Sequence, residues 1–165
     1  MTTVYLGLGS NLGDRDAMLR AALGAIDALP GTRVTAESPV YETPPMGPQD
    51  QGAFLNMAAA IETQHDPRAL VEALQAIESA LGRVPANERR RWGPREIDID
   101  VLLFGERVIN EPGLTIPHAG LADRWFVLKP LADLAPGLVH PTLGRSIAEL
   151  LQALATPDHA EAVER

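Results

Sequence analysis

The spacing of apolar positions along the chain changes several times, and each change marks an element. Residues 3–9, TVYLGLG, make an apolar run of strand length. After the turn GSNLGD, Met18, Ala22, Ile26 and Leu29 recur at helical spacing. They predict a helix from about Asp14 to Leu29, stopped by Pro30-Gly31. Residues 32–43 read as a second strand interrupted at Ser38-Pro39, residues 44–53 as a Pro- and Gly-rich loop, and Phe54 to Thr63 as a third strand. Leu70, Leu74, Ile77 and Leu81 form the stripe of a second helix, with Asp66 at its N-cap, Pro67 in its first position and Gly82 at its stop. Residues 83–95 are an arginine-rich loop and 96–104 a strand, followed by a short strand at Val108-Ile109 and a loop, EPGLTIPHAG. Arg124 to Leu134 reads as helical in part and broken at Pro130. Ser146, with Glu149 three residues on, opens a last helix with a capping box, and the polar end from about residue 155 reads as a frayed tail.

The order of these elements is close to β-α-β-β-α-β. It predicts an α+β, ferredoxin-like sandwich, mostly an antiparallel sheet covered by helices, with C-terminal additions. At 165 residues with no linker or repeat, residues 1–165 are expected to form a single domain. The formal net charge of -8 argues against a general nucleic-acid or anionic-membrane binder. The absence of cysteine excludes disulfide and thiolate chemistry. Neither a signal peptide nor an apolar run of about 18 residues is present, so a cytoplasmic protein is expected.

The densest chemistry lies in Arg89 to Phe104, RRRWGPREIDIDVLLF. Asp98 and Asp100 are two apart, so on a strand they share one face, with Ile97, Ile99 and Val101 on the other. The apolar surroundings suggest a buried strand whose aspartates need a partner; an exposed edge strand is the alternative. Mg²⁺ is the cation expected between carboxylates and phosphates, and the neighbouring arginines suit phosphate. Metal-assisted phosphoryl chemistry on a nucleotide follows as a first hypothesis. Gly7, Gly9 and Gly13 resemble a dinucleotide fingerprint, but the third glycine is one residue late, so the stretch reads as a structural strand-to-helix turn. Trp92 is a core anchor or a stacking platform. Phe54 and Asn56 share a strand face and are either core residues or a ring-stacking and edge-reading pair. Gln75 and Glu78, one helical turn apart, are solvent-facing or ligand-facing. His118 follows Pro117 in a loop, where a lone histidine is more often structural than functional.

Taken together, VYLGLGSNLGDR, SPVYETPPMGPQDQGAFLNMAAAIET, LQAIESALGR, RWGPREIDIDVLLFG and IPHAGLADRWFVLKPLADLAP closely resemble the 6-hydroxymethyl-7,8-dihydropterin pyrophosphokinase family, over roughly residues 4–136. The resemblance implies transfer of pyrophosphate from ATP to the hydroxymethyl group of the pterin, with attack at the β-phosphorus and AMP leaving. It implies two Mg²⁺ ions on Asp98 and Asp100, and Arg83 and Arg95 as the catalytic arginines that clamp the triphosphate. Gln75, Glu78, Arg91, Trp92, Val101, Thr115, His118 and Arg124 match nucleotide-side positions. Thr43, Pro44, Met46, Phe54, Asn56, Trp92 and Phe126 match the pterin pocket. The chain departs from the family's frequent Arg-Val-Arg at Arg83-Val84-Pro85, and has Phe54 where some members have Tyr. A monomer acting on small molecules, with no nucleic acid or membrane partner, is expected. A non-catalytic nucleotide- or pterin-binding module and a metal-dependent phosphohydrolase are the alternatives.

Overall fold

In a computed structural model of the chain, the described residues are 1–11, 14–43, 53–82 and 97–154, with the backbone of 161–163. The elements follow the hydrophobic pattern closely. Strand β1 is Thr2–Ser10, helix α1 Arg15–Asp27, strand β2 Thr32–Glu37, strand β3 Val40–Thr43 and strand β4 Phe54–Thr63. Helix α2 is Pro67–Ala80, strand β5 Asp98–Phe104, and β6 and β7 are Ile109–Glu111 and Leu114–Ile116. A 3-10 turn at Leu121–Asp123 leads into helix α3, Trp125–Leu134, then α4, Ile147–Gln152, and strand β8, Glu161–Val163.

Local chemistry explains the helix ends. The Asp14 carboxylate accepts from Ala17 N at 3.1 Å and the Asp66 carboxylate from Ala69 N at 2.8 Å, each taking up an amide the first helical turn leaves open. Ser146 and Glu149 form the expected reciprocal capping box. The second strand splits in two at Ser38-Pro39, as its sequence predicts.

The main sheet runs β5-β1-β4-β3-β8, with β2 also on β4, and every pair is antiparallel. β2 and β3 share one side of the long central β4 and together take the place of a single strand in the β-α-β-β-α-β scheme. One core lies between the sheet and α1 with α2, built from residues such as Leu6, Leu55, Met57, Ile61, Leu19, Ile26, Leu70 and Leu74. A second, smaller core of Leu102, Leu103, Leu121, Leu128, Leu131, Ile147 and Leu150 joins the other face to α3 and α4. β4 therefore has both faces covered and is almost continuously buried.

Four expectations change. Pro130 does not break α3: the helix runs through it, with Leu128, Pro130 and Leu131 all buried. A proline removes one backbone hydrogen bond, and here burial of that apolar face outweighs the loss. The EPGLTIPHAG stretch is not all loop, because Pro112-Gly113, with Gly113 at φ 76°, turns β6 back onto β7. The aspartate strand is an edge strand, and its start is open: Asp98 is half-buried and Asp100 exposed, while Val101 to Phe104 are buried. The polar tail contributes β8, whose backbone pairs with β3.

Candidate active site

The antiparallel register brings the ends of four strands to one end of the sheet. Gly9 lies opposite both Asn56 on β4 and Asp98 on β5, and Gly7 opposite both Ala58 and Asp100. Directly opposed residues share a face. Asn56, Gly9 and Asp98 thus form one row across the sheet, and Thr43 and Phe54, opposite each other, extend the same face. Neighbouring strands are about 4.8 Å apart, so Asn56 and Asp98 are separated by about 10 Å of floor. That floor carries no side chain, because its central residue is glycine. A β-carbon on Gly9 would stand 3.0 Å from Asn56 Oδ1.

The polar edge of this floor has fixed polarity. Asn56 Nδ2 donates to Thr43 Oγ1 at 2.8 Å, and both residues are buried. That bond sets the amide's orientation and turns Asn56 Oδ1 toward the floor as an acceptor. The Thr43 hydroxyl keeps its own proton as a donor. Arg15, at the start of α1, reaches across to the Glu42 carboxylate at 3.2 Å and the Ala53 carbonyl at 2.8 Å, tying together the ends of β3 and β4 from which Thr43 and Phe54 project.

Beyond the aspartates a cleft of about 300 Å³ runs along the open edge of β5. Gln75 and Glu78 of α2, Thr115 of β7, Val101 and His118 line it together with Asp98 and Asp100. Residues that the sequence scatters from 75 to 118 therefore meet in one hollow. Glu78, expected on a polar helix face, is 4% exposed, and its Oε2 accepts from the Ile99 amide at 2.7 Å. Ile99 lies between the two aspartates, so Glu78 pins the strand where they emerge. His118 Nδ1 accepts from Gly120 N at 3.0 Å. Neutral His118 is therefore protonated at Nε2, which sits 3.8 Å from Asp100 Oδ2. That separation is too long for a hydrogen bond and becomes a charge contact when the ring is protonated.

Helix α3 closes the other side. Arg124 stands at its N-cap and half-buried Phe126 in its first turn. Tyr41, opposite Asn56, anchors this helix. Its hydroxyl donates to Asp133 Oδ2, and its ring meets Trp125 edge-on, centroids 5.6 Å apart. Burial, and secondarily the Asp133 carboxylate, hold the Tyr41 phenol protonated far above the usual tyrosine range. Unfolded tyrosine ionises near pH 10, so this contribution is present below about pH 10 and declines above it. Tyr41→Phe is expected to cost about 1–2 kcal/mol at neutral pH, a Tm fall of roughly 2–8 °C, and to flatten the loss of Tm between about pH 10 and 11. Calorimetry across that pH range measures both effects.

Arg83, Arg91, Trp92, Arg95, Pro44 and Met46 lie outside the described residues. The residues that sequence reasoning passed over are Gly9 as floor without a side chain, Arg15 as a tie, and Gly120 against Arg124. Only the Gly-x-Gly spacing, matching Asp-x-Asp at period two, hinted at any of them.

Comparison with known proteins places the chain in a family. The family model described as 7,8-dihydro-6-hydroxymethylpterin-pyrophosphokinase (HPPK) matches residues 5–136. A 2-amino-4-hydroxy-6-hydroxymethyldihydropteridine pyrophosphokinase of Methylorubrum extorquens is 49% identical over 164 residues, covering 99% of this chain and 100% of the relative. One of Pseudomonas aeruginosa is 50% identical over 150 residues, covering 91% and 90%. Among solved structures, wild-type HPPK-DHPS of Plasmodium falciparum shares the fold with a TM-score of 0.72 at 17% identity, over 92% of this chain and 44% of the longer one. The chain belongs to the 7,8-dihydro-6-hydroxymethylpterin-pyrophosphokinase family.

Proposed function

We propose that this chain transfers pyrophosphate from ATP to the hydroxymethyl group of 6-hydroxymethyl-7,8-dihydropterin, releasing AMP, as a step of folate synthesis. One observation carries the reading beyond family membership: the row Asn56, Gly9, Asp98 across the sheet and the cleft at its edge meet at the aspartates. The floor suits a planar heterocycle. Phe54 stands beside it for stacking, and Thr43 and Asn56 offer a donor and an acceptor at one end. The cleft suits the nucleotide, with Gln75, Glu78, Val101, Thr115 and His118 on its walls. Arg124 on the nucleotide side and Phe126 on the pterin side, both at the start of α3, belong to the proposal through their family motifs.

The pterin's hydroxyl oxygen attacks the β-phosphorus of ATP, the bond from that phosphorus to the oxygen of the α-phosphate breaks, and the hydroxyl proton leaves to solvent. AMP and the pterin diphosphate are the products. Such a displacement needs alignment and charge stabilisation more than a strong base. The strand holds the two carboxylates rigidly, with side chains about 7 Å apart along it, facing the junction of the two substrates. Their chemistry fits Mg²⁺. They are hard oxygen donors, open to the cleft, and would hold Mg²⁺ there. Among the described residues there is no cluster of three or more potential ligands. Two Mg²⁺ ions held there would supply charge neutralisation for the phosphates and the leaving oxygen. Arg83, Arg91 and Arg95, with Trp92, Pro44 and Met46, belong to this proposal through their family motifs. The enzyme is further proposed to act as a cytoplasmic monomer. Among the described residues no helix is long and apolar enough to cross a membrane.

Product analysis tests the reading. With ATP, Mg²⁺ and the hydroxymethyl-dihydropterin, AMP and pterin diphosphate are expected in equal amounts. Release of phosphate or pyrophosphate to water at the same rate without the pterin would show a hydrolase instead, and binding without turnover a binding module.

A further inference from the structure

We infer that Gly120 is a positioning residue for Arg124: by having no side chain, it reserves the place in which the Arg124 guanidinium lies on the nucleotide side of the site. Gly120 is buried, and a β-carbon built on it would stand 2.7 Å from both Cζ and Nε of Arg124 and 3.1 Å from its Cδ. Contacts that short do not occur between such atoms, so any larger residue at 120 is incompatible with this pose of Arg124. Backbone conformation is not the reason for glycine here. At φ -94° and ψ 5° an ordinary residue is tolerated. Gly113 is the contrast: it has open space around its Cα and a φ of 76°. Glycine at 113 serves the turn, whereas glycine at 120 serves the neighbour.

Gly120 also holds a second member of the site. Its amide donates to His118 Nδ1 at 3.0 Å, which sets the ring's proton on Nε2, the atom facing Asp100. A methyl group at 120 leaves that N–H in place. Its three nearest atoms all belong to the flexible Arg124 side chain, so the disturbance falls first on the pose of Arg124. This inference rests on Arg124 being a nucleotide-side residue, as proposed above.

The test compares wild type, Gly120→Ala, Arg124→Ala and the double variant, each titrated calorimetrically with a non-hydrolysable ATP analogue and Mg²⁺. Arg124→Ala is expected to weaken binding about tenfold, the size of one charge-assisted hydrogen bond. Gly120→Ala is expected to weaken it by a similar factor with Tm unchanged. The double variant should bind no worse than Arg124→Ala alone, because both changes remove the same interaction. Wild-type affinity in Gly120→Ala, or losses that multiply in the double variant, would overturn the inference. Wild-type affinity in Arg124→Ala would instead show that the nucleotide-side assignment is wrong, and the inference would fall with it. If Gly120→Ala does not fold, the double variant, lacking the side chain that the methyl meets, is expected to fold. Failure of both would assign Gly120 to the fold alone and refute its positioning role.

Discussion

Asp98→Ala is expected to abolish pyrophosphate transfer, by at least about a thousandfold in kcat, while leaving the fold intact. Asp98 and Asp100 emerge on one face at the open start of β5 and line the cleft. Losing one removes a hard ligand from the place where charge develops, and metal-based stabilisation of such charge is worth several kcal/mol. The fold is spared because Asp98 is half-buried at a strand end, not part of either core. Tm is expected to stay within about 2 °C of wild type, as for surface substitutions generally. Two measurements check this: AMP formation under saturating substrates, and Mg²⁺ titration of ATP-analogue binding, which should shift to higher metal concentration. Near-normal turnover would remove the aspartates from the chemistry.

Glu78 should behave differently, since its expected effect passes through the strand. Glu78→Ala leaves the Ile99 amide without its carboxylate acceptor in a buried setting. An orphaned buried donor costs about 1–3 kcal/mol, a Tm fall of roughly 2–12 °C for a chain of this size. The same change frees the strand segment that spaces Asp98 from Asp100, so kcat is expected to fall more than about tenfold. Displacements of about 1 Å at reacting groups carry penalties of that order or larger. Glu78→Gln, which keeps an acceptor oxygen but not the charge, separates positioning from electrostatics. Recovery of most of the Tm and kcat in Glu78→Gln supports positioning. A Glu78→Gln variant as impaired as Glu78→Ala would show that the charge itself is what matters.

Much of the fold was legible because its signals are local. The caps at Asp14, Asp66 and Ser146, the stripe of α2 and the break at Ser38-Pro39 each depend on residues within one or two turns of chain. Pro130 misled because helix disruption by proline is also a local rule, and in α3 it is overridden by burial against a distant sheet. The β6–β7 hairpin was half-missed because a three-residue strand has almost no periodicity to read. Glu78 looked like a solvent residue because helical spacing reports which positions share a face. It does not report that another strand will bring an unpaired amide to that face.

The sequence by itself determined the chemistry available: two carboxylates at strand spacing, arginines beside them, an amide and an aromatic ring two apart on β4, and motifs specific enough to imply the family. Their arrangement was decided by tertiary structure. That Gly9 separates Asn56 from Asp98, that Thr43 orients Asn56, and that Gly120 makes room for Arg124 are matters of strand register and packing. Register is set by which faces bury together across the whole sheet. A shift of one residue would turn the floor's glycines and both aspartates to the opposite face. No local stretch of the chain contains that information.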